Sequence, residues 1–414
     1  MKRRVVVTGM GAITPLGNSI ETTWEALKAG KSGVGPLTRL DKDEFPSQVA
    51  GEIRDFNPTD FMDSKDARKM ANFSRYAVAG AVQAMQQAGL DESSFDPERS
   101  GVVLGNGIGG FEIIEESHRI LFEKGPRRVP PMTIPKLISN EGPAQVAIHF
   151  GFKGPCYTMT TACSSGTDAI GNSMRMIQAD QADIFITGGV EGCITGLGLA
   201  GFCVLKALST AYNDTPEKAS RPFDRDRDGF VLAEGSGILV LEELEHAIKR
   251  GASIFAEIVG YGITCDAYHL TAPDPAGDGA ARAMKLALRE AGMQPSDIDY
   301  INAHGTSTPT NDPIETKAIK AAFGDHAYKV KISSTKSMTG HMVGAAGGIE
   351  AIIGIQAILN GYIPPTINLD NPDEECDLDY VPNRGIEAPV RAVMSNSLGF
   401  GGHNGVLVLK EYRE

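Results

Sequence analysis

The chain has 414 residues, of which 42% are hydrophobic, so it can bury a large core in one large domain or in two closely packed ones. Its net charge of −13 at pH 7 argues against general binding to nucleic acid. We find no apolar run that approaches the roughly 18 residues needed to span a bilayer, and we expect no membrane segment.

The first residues form a basic and then apolar segment, as signal peptides do. The apolar run ends at Gly9 without a cleavage-type continuation, so we interpret it as the first strand of a cytoplasmic protein. The six cysteines form no CxxC pair and no zinc-like spacing. Neither a disulfide framework nor a metal site is therefore predicted.

Short β-branched strands alternate with longer amphipathic helices along the chain, a pattern typical of α/β layers with buried strands. Three segments of the first 250 residues also have similar counterparts later in the chain, at separations of up to about two hundred residues. The paired segments are 77–90 with 280–293, 101–105 with 300–303, and 237–242 with 405–410. Two copies predict a duplicated α/β unit rather than a solenoid, with halves at residues 1–250 and 251–414.

Cys163 lies where a β-branched and aromatic run, 157–161, turns into a helical pattern that continues to Met174 and Ile177. At a helix N-terminus, free N–H groups and the macrodipole lower the pKa of a thiol, and the thiolate is the nucleophile. The pattern therefore makes Cys163 a candidate nucleophile. The alternative is a small, buried, packed cysteine.

Equivalent loops of two related halves would converge on one cleft. We expect segment 330–341 to match the Cys163 turn, which would put His341 where the first half has its cysteine. His304 follows another strand end, and both histidines lie in Gly/Ser/Thr-rich turns, where functional residues concentrate. We expect the following histidines to be only solvated or packed: His118, His149, His246, His269 and His326.

Three glycine-rich or aspartate-rich segments remain. In 394–404, glycines flank Phe400, which would let backbone N–H groups face a substrate and let the loop move; a plain tight turn is the alternative. Segment 224–229 opens like a calcium loop but has Gly235 at the twelfth position, so we expect a turn with Asp–Arg pairs. Segment 105–110 matches G-x-G-x-x-G without an acidic partner, and we expect its backbone to press against the cleft.

These motifs together resemble the β-ketoacyl-[acyl-carrier-protein] synthases, most closely the chain-elongating type II enzymes of bacterial fatty acid synthesis. The matching segments are 160–163, 302–308, 334–341 and 399–402, with further matches from 5–11 through 221–224 to the C-terminal strand. The resemblance implies a thiolase-like α-β-α-β-α fold of two pseudo-twofold-related halves, which agrees with the repeat. It implies condensation of acyl-carrier protein with malonyl-carrier protein.

The same resemblance implies roles for individual residues. Cys163 would accept the acyl chain, with the backbone N–H groups of Cys163 and Phe400 holding the oxyanion, and His304 and His341 would donate hydrogen bonds to the enolate oxygen. Lys336 would pair with Glu350 and orient the site. The implied substrate-binding residues are Thr306 and Thr308 on the pantetheine arm, Phe400 and Gly401 in the gate loop, and Ile108 near the far end of the acyl pocket. No metal or organic cofactor is expected, because the substrates are carried on phosphopantetheine.

The implied partners are acyl carrier protein and a second copy of the chain, joined through the strand near the nucleophile. Carrier proteins are acidic, and two basic clusters could steer them. The clusters are Lys65, Arg68 and Lys69 with Arg75, and Lys124, Arg127 and Arg128. The alternative is that both are solvated faces.

Three alternatives stay open. Segment 164–166 is Ser-Ser-Gly and segment 190–193 is Val-Glu-Gly-Cys, which depart from the usual fatty acid enzymes, and double serine also occurs in polyketide ketosynthases. A thiolase would need a second cysteine in a Cys-Gly-His setting near the C-terminus, whereas Cys376 lies in an acidic turn. A non-catalytic chain-length subunit would lack the nucleophile, and Cys163 argues against it.

Overall fold

A ten-stranded mixed sheet organises the fold, and α-helices cover it. The computed structural model describes residues 2–91 and 93–413. In this part of the chain the strands are β1 Val5–Ile13, β2 Gly35–Pro36, β3 Val49–Ala50, β4 Ser100–Gly105, β5 Cys156–Met159, β6 Ile184–Glu191, β7 Gly235–Glu243, β8 Ala256–Cys265, β9 Tyr300–Asn302, β10 Lys331–Ser333, β11 Tyr362–Ile363, β12 Ile386–Glu387, β13 Ala392–Gly399 and β14 His403–Lys410.

The α-helices in the same part of the chain range from a single turn to about five turns. They are α1 Ile20–Lys28, α2 Ser64–Ala67, α3 Asn72–Ala88, α4 Phe111–Lys124, α5 Thr133–Leu137, α6 Glu141–Phe150, α7 Ser165–Gln178, α8 Gly196–Val204, α9 Leu244–Lys249, α10 Asp278–Ala291, α11 Asn311–Phe323, α12 Lys336–Thr339 and α13 Ala346–Asn360. Short 3-10 turns at Ala162–Ser164 and Val343–Ala345 precede α7 and α13.

The strand order shows the internal duplication. It reads β10-β9-β13-β14-β8-β1-β7-β6-β4-β5, and β1 joins β8 at the centre through two residue pairs. Outward from this centre, each side has two antiparallel pairings followed by two parallel ones. The predicted duplicated α/β fold is therefore confirmed. The exact division near residue 250 stays a prediction.

The helices form three layers around the strands. α3 packs on β1 and β7, and α10 packs on β8 and β14, whereas α7 and α13 pack against each other and against strands of both halves. α3 and α10, which the sequence repeat paired, both end at a glycine in the left-handed conformation, Gly89 and Gly292. α7 buries the predicted Met174 and Ile177. The layers therefore follow the α-β-α-β-α order.

One expectation about apolar segments is wrong. Within the described residues, Val343–Asn360 is long and apolar enough to cross a membrane, with a mean hydropathy of 1.4 over 18 residues. This segment does not stand out in the sequence as one long apolar run, because glycines and alanines interrupt its larger apolar side chains. In the fold 78% of this window is buried, because α13 lies between the two halves of the sheet, as a core helix does.

A second expectation needs correction at the turn before α13. Ala162 and Val343 take the same unusual positive φ, 52° and 44°, and each is the first residue of the 3-10 turn that leads into the helix. The counterpart of Cys163 is therefore Gly344, not His341. Only residues 160–161 separate β5 from its 3-10 turn, whereas residues 334–342, including α12, separate β10 from the equivalent turn, and His341 lies in this longer segment.

Segments 105–110 and 224–229, which resemble a nucleotide-binding motif and a calcium loop, have structural roles, as expected. A Cβ on Gly105 would lie 2.2 Å from the carbonyl carbon of Ser165, so the backbone of 105–110 does press against the start of α7. In 224–229, Asp224 pairs with Arg221 at 3.1 Å, and Arg227 pairs with Asp373 at 2.6 Å. Both motifs hold chain segments together.

Candidate active site

Cys163, His304 and His341 lie together in one cleft. Cys163 is in the 3-10 turn between β5 and α7, His304 follows β9, and His341 follows α12. The Cys163 Sγ lies 3.0 Å from His341 Nε2. The two imidazole rings are 5.4 Å apart between centroids and nearly perpendicular, at 87°. A sulfur from the first half thus faces two rings from the second.

A cavity of about 350 Å³ opens onto these three side chains. Six of the predicted site residues line it: Cys163, His304, His341, Thr306, Thr308 and Phe400. The Thr306 and Thr308 hydroxyls lie 3.1 Å from each other, so one wall of the cavity carries paired hydroxyl groups. Such a wall can hydrogen-bond an extended polar chain that reaches the sulfur.

Two predicted substrate-binding residues do not line this cavity. Ile108 packs in an apolar cluster with Cys163 and Phe202, beyond the sulfur rather than beside the opening. Gly401 lies in the turn of the β13–β14 hairpin with a φ of 88°, and its N–H donates to the Leu270 carbonyl at 2.7 Å, which ties the hairpin to the loop after β8. Gly401 therefore supports the loop and does not face the cavity.

Phe400 contributes in two ways. Its backbone N–H faces the Cys163 thiol, where it partly opposes the rise of the thiol's pKa. Its ring stands 6.4 Å from that of Phe202, centroid to centroid, and both rings line the cavity. The Phe400 N–H therefore points at the atom that would carry an acyl group, next to the N–H of Cys163 itself.

The expected lowering of the thiol pKa is not what the structure shows. Burial raises the pKa of Cys163 to about 12, and the positive charge of Lys336 and the Phe400 N–H only partly oppose this effect. The thiol lies against apolar side chains, and removing a thiolate from water outweighs the local dipoles. The resting nucleophile is therefore a neutral thiol.

Both histidines are neutral for a related reason. Burial, with the charge of Lys336, holds the pKa of His304 and His341 well below the usual value. A neutral imidazole offers one donor and one acceptor. The Nδ1 atoms of both rings are buried without a hydrogen-bond partner in the described part of the chain, so neither tautomer is imposed on His341 by its surroundings.

Lys336 and Glu350 form an ion pair behind the cavity, as the resemblance implied. Each side chain is only 2% exposed, and neither lines the cavity. Burial raises the pKa of Glu350 to about 7 against the opposing effect of Lys336. Lys336 therefore acts on Cys163 and the histidines through its charge rather than by contact with a substrate.

Sequence reasoning missed two buried glutamates that hold site backbone. The Glu315 carboxylate accepts the N–H groups of His304 and Gly305, each at 2.8 Å. Glu191, at the end of β6, accepts N–H groups from Gly107 and Gly344. No local pattern identifies them, because a glutamate in a helix or at a strand end usually faces solvent.

The two basic clusters lie on the surface, away from the cavity lining. Lys65, Arg68 and Lys69 are exposed around α2, where Lys69 pairs with Asp66 at 2.9 Å. Lys124, Arg127 and Arg128 are exposed at the end of α4 and in the next turn. Lys206, which was not predicted, lies at the cavity itself. Within residues 2–91 and 93–413, no three His, Cys, Asp or Glu side chains are grouped to hold a metal ion.

The duplicated sheet, with a cysteine that faces two histidines across its halves, defines a thiolase-like ketosynthase. Residues 2–247 match the family model "Beta-ketoacyl synthase, N-terminal domain" and residues 255–370 match "Beta-ketoacyl synthase, C-terminal domain". The chain belongs to the β-ketoacyl synthase family.

Relatives with curated names are similar over the full length. The 3-oxoacyl-[acyl-carrier-protein] synthase 2 of Coxiella burnetii is 53% identical, over 99% of this chain and 98% of the relative. That of Synechocystis sp. is 51% identical, over 100% and 99%. Among solved structures, the ishigamide ketosynthase/chain length factor has a TM-score of 0.94 and 38% identity, covering 100% of both chains.

A second solved structure contains a carrier protein. It is described as a type II PKS acyl-carrier protein in complex with its ketosynthase, with a TM-score of 0.93, 35% identity and 100% coverage of both chains.

Proposed function

We propose that this protein condenses an acyl-[acyl-carrier-protein] with malonyl-[acyl-carrier-protein] to 3-oxoacyl-[acyl-carrier-protein], carbon dioxide and free carrier protein, in fatty acid elongation. The observation that carries the proposal is the contact of 3.0 Å between Cys163 Sγ and His341 Nε2, with His304 beside it. Relatives that are more than half identical over nearly the whole chain carry the corresponding name.

The first step transfers the acyl group to Cys163. The neutral thiol loses its proton as sulfur attacks the thioester carbon, and His341 Nε2 is an adjacent acceptor. The tetrahedral oxyanion accepts hydrogen bonds from the N–H groups of Cys163 and Phe400. As it collapses, the carbon–sulfur bond to pantetheine breaks, and the departing sulfur takes the proton. His341 is then neutral again.

The second step forms the carbon–carbon bond. The bond between the malonyl carbon and its carboxylate breaks, carbon dioxide leaves, and the electron pair forms an enolate whose oxygen accepts N–H groups from His304 and His341. His341 donates here as the tautomer with its proton on Nε2, which its unpartnered Nδ1 permits. The carbanion attacks the acyl carbon, and Cys163 leaves as thiolate and is reprotonated.

The test removes the nucleophile. Cys163→Ala should abolish acyl transfer and condensation while the melting temperature stays within a few degrees of wild type, because a partly buried thiol becomes a methyl group without loss of a charge. Condensation and the mass added to the protein by acyl-carrier protein are the measurements. Retained condensation in this variant would rule the mechanism out.

A ketosynthase of a polyketide or specialised lipid pathway is the second candidate. The neighbours that include polyketide ketosynthases, and the double serine after Cys163, favour it. The two functions use the same residues and differ in the acyl chain. A mixture of acyl-carrier proteins offered to the wild type separates them: a long saturated chain on Cys163 supports fatty acid elongation, and a short or hydroxylated starter supports the alternative.

The proposed partner is an acidic acyl carrier protein that docks on the two basic clusters. Their exposure supports this, and charges at the rim of an interface mainly steer association. The triple reversal K65E/R68E/K69E should raise KM for acyl-carrier protein about tenfold, on the order of 1.4 kcal/mol, with kcat nearly unchanged. A small acyl-pantetheine thioester should show no difference.

The control for docking is K249E/K410E, which reverses exposed lysines outside both clusters. It should leave KM for the carrier-bound substrate near the wild-type value. An equal rise in KM for both variants, or for both substrates, would contradict docking at these clusters. High salt should reduce the difference between the triple variant and wild type, because exposed charges are screened.

We also propose a cytoplasmic homodimer. All six cysteines are free thiols, which fits a reducing compartment. β5 is the outer strand of the sheet and pairs only with β4 in the described part of the chain. Large apolar side chains are exposed on α4 and on α6, the helix that packs against β5: Phe122 on α4 is 76% exposed and Ile148 on α6 is 74% exposed. A second copy would cover both the strand edge and these side chains.

A further inference from the structure

The duplication gives the oxyanion site a counterpart. β6 and β13 hold the same place in their halves, and their last residues, Glu191 and Gly399, are in register with the first residue of the paired antiparallel strand or hairpin. Phe400 therefore corresponds to Gly192, just as Cys163 corresponds to Gly344. The two N–H groups at the catalytic sulfur thus have equivalents in the N–H groups of Gly192 and Gly344.

We call each such group of converging backbone N–H donors a cradle. A carboxylate occupies the second cradle, at Gly192 and Gly344. Glu191 Oε2 accepts the N–H of Gly344 at 3.1 Å and that of Gly107 at 3.0 Å. The N–H groups of Gly192 and Ile108 face the same carboxyl group, and these backbone donors together oppose the burial that raises the pKa of Glu191 to about 7. Glu191 is fully buried. The Asn106 side-chain amide lies 3.4 Å from its Oε1, and among the described residues no positively charged side chain is hydrogen-bonded to it. Backbone donors from both halves thus converge on this carboxyl group, as they would on an oxyanion.

The cradle at Cys163 is open because β13, the strand that leads into it, ends in a glycine, Gly399. A Cβ built on Gly399 would lie 3.2 Å from the Cys163 nitrogen and 2.8 Å from the Thr161 carbonyl oxygen. A side chain at this position would therefore project into the space between the two N–H donors. The same position in the other half carries Glu191, whose side chain takes up those donors.

We propose that Glu191 is a positioning residue that permanently fills the second oxyanion-type cradle. Its carboxylate ties Gly107–Ile108 of the first half to Val343–Gly344 of the second. Val343 lines the cavity, and Ile108 packs in the apolar cluster with Cys163. The carboxylate thereby sets the wall of the acyl site without touching the reacting atoms. The expected effect of Glu191 on the acylation rate rests on the proposed function, whereas the occupation of the cradle by its carboxylate does not.

The experiment empties the cradle and refills it with formate. Glu191→Ala should lower the melting temperature and slow acylation of Cys163 at least tenfold, because the buried N–H donors lose their acceptor. Sodium formate should raise the melting temperature of this variant and restore much of the acylation rate in a saturable manner. Sodium chloride at equal ionic strength should do neither. Glu112→Ala is the matched control, since Glu112 is a partly buried carboxylate whose acceptor oxygen binds the Asn72 N–H and none of the N–H groups that face Glu191.

The inference is overturned if formate acts no more than chloride on E191A, if it acts equally on wild type and E112A, or if E191A matches the wild type without formate. If E191A fails to fold, E191Q provides the test instead. Glutamine keeps the volume of the side chain, but its amide N–H hydrogens lie against the backbone N–H donors. E191Q should be slow and insensitive to formate, and a wild-type rate in E191Q would overturn the inference. The melting temperature is measured without substrate. The effect of formate on it therefore tests this inference even if the proposed reaction is wrong.

Discussion

At the scale of single residues, burial sets the charge state of the reacting groups. The thiol and both imidazoles are removed from water, which favours their neutral forms. Lys336 adds a positive charge that opposes protonation of the rings and favours the thiolate. A neutral thiol beside a neutral ring can transfer its proton within the step, whereas a charged ring could not accept it.

This arrangement predicts the pH dependence of condensation. Because the pKa of each histidine is well below the usual value of 6.5, the acid limb of the rate should lie below pH 6.5 rather than at it. The variant K336M/E350Q removes the charge that lowers these pKa values while avoiding an unpaired buried ion. Its acid limb should move to higher pH. The measurement is the condensation rate against pH, and an unmoved or lower limb would contradict the role of Lys336.

At the scale of structural elements, the hairpin between β13 and β14 brings its backbone to the nucleophile. The strand carries Gly399 to within contact distance of the Cys163 turn, and the next N–H, from Phe400, meets the sulfur. The position of the hairpin depends on the pairing of β13 with β9 and of β14 with β8, whose residues come from distant parts of the chain.

Gly399→Ala tests this close approach. The added methyl group would lie 2.8 Å from the Thr161 carbonyl oxygen, so the hairpin must shift and the Phe400 N–H must leave the sulfur. Acylation of Cys163 should slow on the order of a hundredfold, as for loss of one oxyanion donor. Gly201→Ala on α8 is the control, because a Cβ there meets nothing within 4 Å. Equal rates for both variants would show that the hairpin position does not matter.

At the scale of the whole molecule, duplication explains why the site lies between two halves. β1 and β8 meet at the centre of the sheet, and α7 and α13 pack together between the halves. The loops at the strand ends of both halves therefore converge. The first half supplies the sulfur after β5, and the second half supplies one imidazole after β9 and the other after α12. The outer edge at β5 remains uncovered by any strand in the described part of the chain.

The proposed dimer predicts the effect of a charge beside that edge. Ile148 on α6 is 74% exposed, and burying a glutamate in its place would cost several kcal/mol per interface. Ile148→Glu should convert the dimer to a monomer, measured by light scattering during gel filtration. Val204→Glu changes a residue that is 83% exposed on α8 and should leave the dimer intact. A monomeric wild type would reject the proposal.

The sequence by itself determined the α/β class, the duplication and the candidates Cys163, His304 and His341. Apolar periodicity, paired segments and glycine-rich strand ends are local, so they can be recognised without coordinates. Their shared cleft was a hypothesis that depended on how the halves pack.

Only the tertiary structure decided that Cys163 is a neutral thiol, that Gly344 rather than His341 is its counterpart, and that Glu191 and Glu315 hold site backbone. Each of these depends on burial or on contacts between residues far apart in the chain. A helix N-terminus can be recognised in a sequence, but the cost of removing a thiolate from water depends on which side chains surround it, and only packing determines that.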